Sequence, residues 1–361
     1  MELLRLKSGD IVNIFDKYIV VQFNGSRKVL STSVYNGGYN ENITSVFNHN
    51  MMNEEGTDLL LFAPEYEEHL KITAQKLGLN PINSTGVGTA AQMHNVSVST
   101  MEYKDLSVSA IVTAGIETNG GRAGDEAKYY NVNKKPLPGT INIFLFINAD
   151  MPQGILTRAL VTCTEAKTAA LQELMADSRY SDGLATGSGT DQTIIAANAE
   201  SDLYFDSAGK HSKLGELIGK TVITAVKEAL KKQNGLTPEL QHNLMRRLRR
   251  FGITEESVFN TCKELTQDNI NKTLFLETLN KITSTEPVFT YGILYIHLLD
   301  EYKWKLLTEN ETQNMTDEIL ETLSEKLQIN IIFSDDIKNR YVKKMEYFLS
   351  CVINKELENK Q

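Results

Sequence analysis

At 361 residues, with 41% hydrophobic and 23% charged side chains, the chain has room for two domains of ordinary globular composition. Its net charge is −9, from 21 basic and 26 acidic residues over 1–235 and 16 and 20 over 236–361, which argues against wholesale nucleic-acid binding. Cys163, Cys262 and Cys351 are too scattered for a disulfide framework or a zinc spacing, and no run suits a membrane span, so a cytoplasmic protein is expected.

Two strands are predicted between Asp10 and Phe23, another over Lys28 to Val34, and a further one over Ser45 to Asn48. Pro64 to Leu77 reads as a helix, with Leu70, Ala74 and Leu77 at helical spacing and Gly78 as its stop. Val96 to Met101 and Leu106 to Ala114 form a predicted antiparallel hairpin. Thr140 to Ile147 is apolar on both faces and reads as a buried strand. A long helix is predicted over Pro152 to Met175, then a glycine loop, a strand from Thr193, and an amphipathic helix over Ser212 to Lys232. Hairpins mixed with helices imply an α+β layered sandwich of two or three layers, mainly antiparallel, rather than a doubly wound parallel sheet.

Asn234-Gly235 closes that helix and divides the chain into an α+β domain, 1–235, and an all-α domain, 236–361. In the second domain, helices are predicted from Pro238 to before Gly252, from Thr254, and over Asp268–Ile282, Pro287–Leu307, Thr316–Leu327 and Asp335–Glu356. Arg246, Arg247, Arg249 and Arg250 make a basic cluster there, read first as a salt-bridged face and second as a dock for an anionic partner.

Gly183-Leu184-Ala185-Thr186-Gly187-Ser188-Gly189-Thr190-Asp191-Gln192 concentrates glycines, hydroxyls and a carboxylate just before an apolar strand. With it, in order along the chain, stand Ser31-Thr32-Ser33-Val34-Tyr35-Asn36-Gly37-Gly38, Gly86-Val87-Gly88-Thr89-Ala90-Ala91, Val112-Thr113-Ala114-Gly115 and Arg122-Ala123-Gly124-Asp125. Pro138-Gly139-Thr140-Ile141-Asn142, Thr164-Glu165-Ala166-Lys167-Thr168-Ala169-Ala170-Leu171 and Lys210-His211-Ser212-Lys213-Leu214-Gly215-Glu216-Leu217-Ile218-Gly219 complete the series. In this order the motifs resemble the adenosylcobinamide amidohydrolase family of vitamin B12 salvage, over about residues 25–230. The resemblance implies hydrolysis of the amide joining aminopropanol to the corrin ring, giving adenosylcobyric acid. It departs from the family at Ser188, where threonine is usual, at Glu117-Thr118-Asn119-Gly120-Gly121, and in the unmatched extension after Leu236.

Amide hydrolysis needs a nucleophile or activated water, a proton donor for the amine, and oxyanion stabilisation. No Gly-x-Ser-x-Gly elbow and no His-Glu-x-x-His helix supplies them. His211, just ahead of a helix N-terminus, is the general acid/base candidate, against a capping or packing role. Asp191 is the leading carboxylate, against a turn cap, and Asp125 is a similar case. Glu165, on or near the apolar stripe of its helix, and Lys167 fit catalysis or a structural ion pair equally. Asn36, Gly37, Gly38, Gly187, Ser188, Gly189 and Thr190 are candidate substrate-binding residues, against ordinary turns. Gly86 to Ala91 loosely imitates a dinucleotide fingerprint, but no convincing strand precedes it, so a nucleotide fold is rejected. No metal site and no cofactor are expected, the substrate itself carrying cobalt. The expected partner is a corrinoid small molecule, with no nucleic acid and no membrane insertion, and with a homo-oligomer or protein partner open to the helical domain. The alternative function is non-catalytic corrinoid binding.

Overall fold

The structure is a computed structural model that describes residues 1–127, 139–266, 270–338 and 340–359; Pro138 and Asp268 of the sequence analysis lie outside the described residues. The chain divides into two compact units, Met1–Thr237 and Pro238–Gln361.

In the first unit, one sheet contains β1 (Glu2–Arg5), β2 (Ile11–Ile14), β3 (Tyr18–Gln22), β6 (Ser45–Asn50) and β7 (Ser84–Thr89), in that spatial order. A second sheet runs β5 (Gly38–Asn40), β4 (Arg27–Ser31), β13 (Gln192–Asn198), β11 (Ile141–Ile147), β9 (Leu106–Ala114) and β8 (Ser97–Tyr103). A two-stranded ribbon joins β10 (Gly120–Gly121) to β12 (Gly187–Ser188). The pairs β6–β7 and β11–β13 are parallel and the other ladders antiparallel, so the architecture is α+β.

Period-two alternation in β11 fixes the layers. Ile141, Ile143, Leu145 and Ile147 face α2 (Gln153–Glu173) and α3 (Lys213–Asn234), packing on Leu156, Ala159, Cys163, Val222 and Val226. Phe144 and Phe146 face the other sheet and meet Ile19, Val21, Val46 and Val87. The outer face of that first sheet, Val20 and Phe47, is covered by Leu70 and Ala74 of α1 (Tyr66–Lys76). The unit therefore has four layers, helix, sheet, sheet, helix, rather than two or three. The extra depth arises because both sheets are apolar on both faces.

Sequence periodicity does not reveal β1, β5, the β10–β12 ribbon or β7. In β7, Gly86 lies under the Phe47 ring and Gly88 under Met51 and Tyr66, so a Cβ at either would collide. Glycine in a strand interior here makes room for large neighbours rather than for a nucleotide. A single 3-10 turn, Met93–Asn95, follows it instead of a phosphate-binding helix.

The second unit is helical. It comprises α4 (Pro238–Gln241), α5 (Leu244–Leu248), α6 (Glu255–Thr266), α7 (Lys272–Thr283), α8 (Val288–Lys303), α9 (Glu309–Lys326), α10 (Asp335–Lys338) and α11 (Tyr341–Glu358). Phe275, Tyr295, Met345, Phe348 and Leu349 lie in its core. The helix expected from Pro238 breaks, because Asn243 caps α5 through a bond from Arg246 N–H. The helix expected from Thr316 begins earlier: Thr308 and Glu311 form a reciprocal capping box. Of the arginine cluster, Arg250 is 3% exposed and makes a bidentate pair with Asp300, at 2.6 and 2.5 Å. Among the described residues no helix is long and apolar enough to cross a membrane.

Candidate functional site

The space between the two sheets is apolar along most of β11 and polar at that strand's N-terminal end. There Asn142, on the same face as Phe144, donates to Asn48 Oδ1 and to Gly88 O, both at 3.0 Å. Asn48 donates to Thr113 Oγ1 at 2.8 Å. Thr140 donates to the carbonyl of Thr190 at 2.7 Å, and Ser33 to that of Gly86 at 2.6 Å. All these side chains except that of Thr190, which is half-buried, are buried. Burying so many polar groups costs stability unless each is hydrogen-bonded, and they are bonded to one another. The same rim receives the ends of β4, β7 and β9 and the start of β13, so motifs far apart in sequence converge there.

Asp191 sits at this rim, immediately before β13. Its Oδ1 accepts from Ser188 Oγ at 2.6 Å and from the Ile141 amide at 3.0 Å. Its Oδ2 accepts from the Ser188 amide at 3.0 Å and from Lys167 Nζ, which forms a close ion pair. Four donors on one carboxylate fix its orientation. Lys167 reaches it because α2 follows β11 and runs back beside the sheet toward the start of β13. Gly187 lies directly beneath the pair, where a Cβ would collide with Asp191 Oδ2 and Lys167 Nζ. The pair is not sealed: Lys167 is 12% and Asp191 13% exposed, Ser188 is half-buried and Gly189 is exposed.

Thr190 bonds the carbonyl of Gly139 at 3.0 Å, which also accepts from Asn119 Nδ2 at 3.1 Å, and Tyr180 OH donates to Asn119 Oδ1 at 2.8 Å. Asp125 lies beside the β10–β12 ribbon, accepting from the Arg122 amide at 2.8 Å and from Ser178 Oγ at 2.6 Å. Burial works against its charge, but hydrogen bonds from Ser178, Ser181 and Arg122 outweigh it and hold the pKa below the ordinary value. Asn36 is in the left-handed region, φ +48°, and its amide donates to Pro81 O at 2.9 Å and Ser84 O at 2.7 Å. Gly37 packs so tightly on Ser33 O that a Cβ would collide, and Gly38, φ +79°, completes the turn into β5. This turn follows Thr32, which bonds Gln192 at 2.9 Å, so it lies at the same end of the sheet as Asp191.

The structure does not bring His211 and Glu165 to this group. Lys213, at the start of α3, lies 4.6 Å from the Tyr103 ring, whereas Asn234 at its end accepts from the Ile116 amide at 3.3 Å. Exposed His211 precedes the N-terminal end of α3, whose other end lies beside Ile116, and among the described residues no hydrogen bond or ion pair joins it to Asp191. Glu165 is 48% exposed, off the apolar stripe of α2, and pairs with Lys210 at 2.9 Å. Lys167, two residues on, turns inward instead.

The site residues outside the sequence candidates are Asn48, Thr113 and Asn142, with Lys167 promoted from an open alternative. Asn142 inside the apolar run of β11, and Asn48 after Val46-Phe47 in β6, are the signals the sequence carries. Among the described residues no three His, Cys, Asp or Glu side chains gather as a metal site.

A second buried cluster lies under α1. His69 Nδ1 accepts from the Phe62 amide at 2.9 Å, so its proton is on Nε2, 3.2 Å from His49 Nδ1. Tyr18, Phe62 and Tyr66 stack around the pair. Burial pushes the His49 pKa down to about 3 and that of His69 to about 4, assisted by Lys76 and, at His49, by His69 and Lys17.

Comparison with known proteins bears on the first unit. A profile of the adenosylcobinamide amidohydrolase family matches residues 5–238. An uncharacterised protein of Methanocaldococcus jannaschii is 34% identical over 232 residues, 60% of this chain and 87% of its own length. A Methanosarcina mazei protein named adenosylcobinamide amidohydrolase is 30% identical over 175 residues, 46% of this chain and 76% of its own length. The chain belongs to the adenosylcobinamide amidohydrolase family, which its first unit spans and its helical unit extends.

Proposed function

We propose that this protein hydrolyses the aminopropanol amide of adenosylcobinamide, releasing aminopropanol and adenosylcobyric acid, in corrinoid salvage. The observation that carries the reading is the Lys167–Asp191–Ser188 array, an anchored carboxylate with a hydroxyl at its open edge, on the rim where the family's motifs converge. Asp191 accepts the proton of the attacking oxygen, and Lys167 holds its carboxylate in place. Once protonated, Asp191 stands ready to return that proton to the leaving nitrogen.

A groove of about 500 Å³ along α2 supports the substrate class. Leu160, Val161, Thr164, Glu165 and Ala169 are among its lining residues. Thr168, also in the groove, donates to the carbonyl of Thr186 at 3.2 Å, which links it to the Gly187–Asp191 loop. In this reading the groove takes the apolar edge of the corrin, while Gly187, Ser188, Gly189 and Thr190 border the amide arm. Asn36, Gly37 and Gly38 shape the rim beyond it. Asp125 positions the ribbon, and His211 and Glu165 act away from the bond that breaks.

The test is incubation of the purified full-length protein with adenosylcobinamide. Free aminopropanol and a product with one new carboxylate are expected on chromatography and mass spectrometry. Tight binding without turnover overturns the reading in favour of a corrinoid-binding protein.

A further inference from the structure

We propose that Ser188 is the nucleophile, and that the reaction passes through a corrinoid ester on its Oγ. The inference rests on the hydrolase reading above and adds a covalent step to it. Three features of the site carry it. The Ser188 hydroxyl donates its proton to Asp191 Oδ1 at 2.6 Å, which leaves the oxygen lone pairs directed away from the carboxylate. The Thr190 amide donates to that same oxygen at 3.2 Å and fixes its rotamer. Gly187 and exposed Gly189 flank the residue, so no side chain of either neighbour shields it from a ligand on the open face.

A purely structural role explains this arrangement less well. Asp191 already has three other donors, from Lys167, the Ser188 amide and the Ile141 amide. The loop would keep its carboxylate anchor without the hydroxyl, yet the hydroxyl is present at the solvent edge, aligned on a carboxylate whose charge Lys167 compensates. That is the arrangement of an activated nucleophile, with Asp191 in the place of the base and Lys167 as its orienting partner.

The step balances as follows. Ser188 Oγ bonds to the amide carbonyl carbon while its proton passes to Asp191. The tetrahedral intermediate collapses, the C–N bond breaks, and Asp191 gives the proton to the departing amine. Water then attacks the ester carbonyl, its proton going to Asp191, and the C–Oγ bond breaks as that proton returns to Ser188.

The experiment uses the full chain and adenosylcobinamide, with acid quenching during turnover and peptide mass spectrometry, and in parallel with hydroxylamine as a competing nucleophile. The expected results are a corrinoid acyl adduct on the Ser188 peptide and formation of the corrinoid hydroxamate. Ser188→Ala should lose about 10³-fold or more in kcat, and Ser188→Thr should restore part of it. Turnover with neither adduct nor hydroxamate overturns the covalent step and leaves the hydrolase reading standing. Hydroxamate formed with the adduct on another residue overturns the assignment to Ser188. Absence of any turnover overturns the hydrolase reading and this step with it. If Ser188→Ala does not fold, the adduct and hydroxamate measured on the natural protein decide.

Discussion

Two carboxylate–cation pairs in the first unit have the same chemistry and different surroundings. Asp10 and Arg27 are 1% and 2% exposed. Arg27 bonds both Asp10 oxygens, at 3.1 and 2.7 Å, and spends its remaining donors on Asn198 Oδ1 and on the carbonyls of Ser8, Asn24 and Ser26. Every group is satisfied by protein, and nothing is left to meet a ligand. Lys167 and Asp191 are equally well anchored, but half-buried Ser188 and exposed Gly189 stand beside them. An ion pair by itself is therefore not a sign of chemistry; the oriented hydroxyl beside the second pair is what carries the proposal for Ser188. The histidines divide the same way: His49 and His69 are sealed in an aromatic box, and His211 is exposed.

The largest expected effects break one member of each pair. Arg27→Met leaves Asp10 buried without its cation and should cost about 3–5 kcal/mol of folding stability, read as denaturant midpoint. A loss under about 1 kcal/mol would remove the distinction drawn for the closed pair. Asp191→Asn should instead lower the hydrolysis rate by about 10²–10⁴-fold while near-UV circular dichroism stays native. Unfolding on that substitution, or an unchanged rate, would assign Asp191 to structure alone.

Acid should sharpen the contrast next. The His49 and His69 pKa values lie below the ordinary 6.5 in the folded chain, so the unfolded chain binds more protons as pH falls. Their contribution to stability is fully present above pH 6.5 and is lost as pH falls toward about 4 and then about 3. Each histidine steepens the loss by about 1.4 kcal/mol per pH unit within that window. The His49→Phe variant should show a shallower slope of melting temperature against pH; an unchanged slope would place the acid sensitivity elsewhere.

The smallest effects are expected where the surface is open and nothing reacts. His211→Ala and Glu165→Gln should each change stability by no more than about 0.5 kcal/mol and leave kcat nearly as it was. A rate loss of about 10²-fold for His211→Ala, with the fold intact, would return that histidine to the reaction. A fragment ending at Thr237 contains every site residue named and should still hydrolyse; a folded fragment without turnover would place part of the site in the helical unit.

Strong local signals carried most of the secondary structure. The β8–β9 hairpin, the run of β11, the stripe and Gly235 stop of α3 and the Gly252 stop all arise from periodicity and backbone freedom, which are local properties. The glycines of β7 were opaque, because their reason is the bulk of Phe47 and Met51 on neighbouring segments. The start of α9 lies in the Thr308–Glu311 capping box, a polar signal ahead of the apolar residues that periodicity registers.

The site divides along the same line. Sequence by itself determined that Gly187, Ser188 and Asp191 share one loop, since three residues of spacing confine them to one turn. It also determined the α+β class and the helical extension, because side-chain period records which faces are buried. Only the tertiary structure decided that Lys167 joins that loop while Glu165, two residues away, does not. Only it placed Asn48, Thr113 and Asn142 together, and it set His211 at the N-terminal end of α3, outside the bonds that hold Asp191. The physical reason is that a helix turns adjacent residues onto different faces, and a strand followed by a long helix carries its ends far apart. Which of those faces and ends meet is settled by packing between layers, not by distance along the chain.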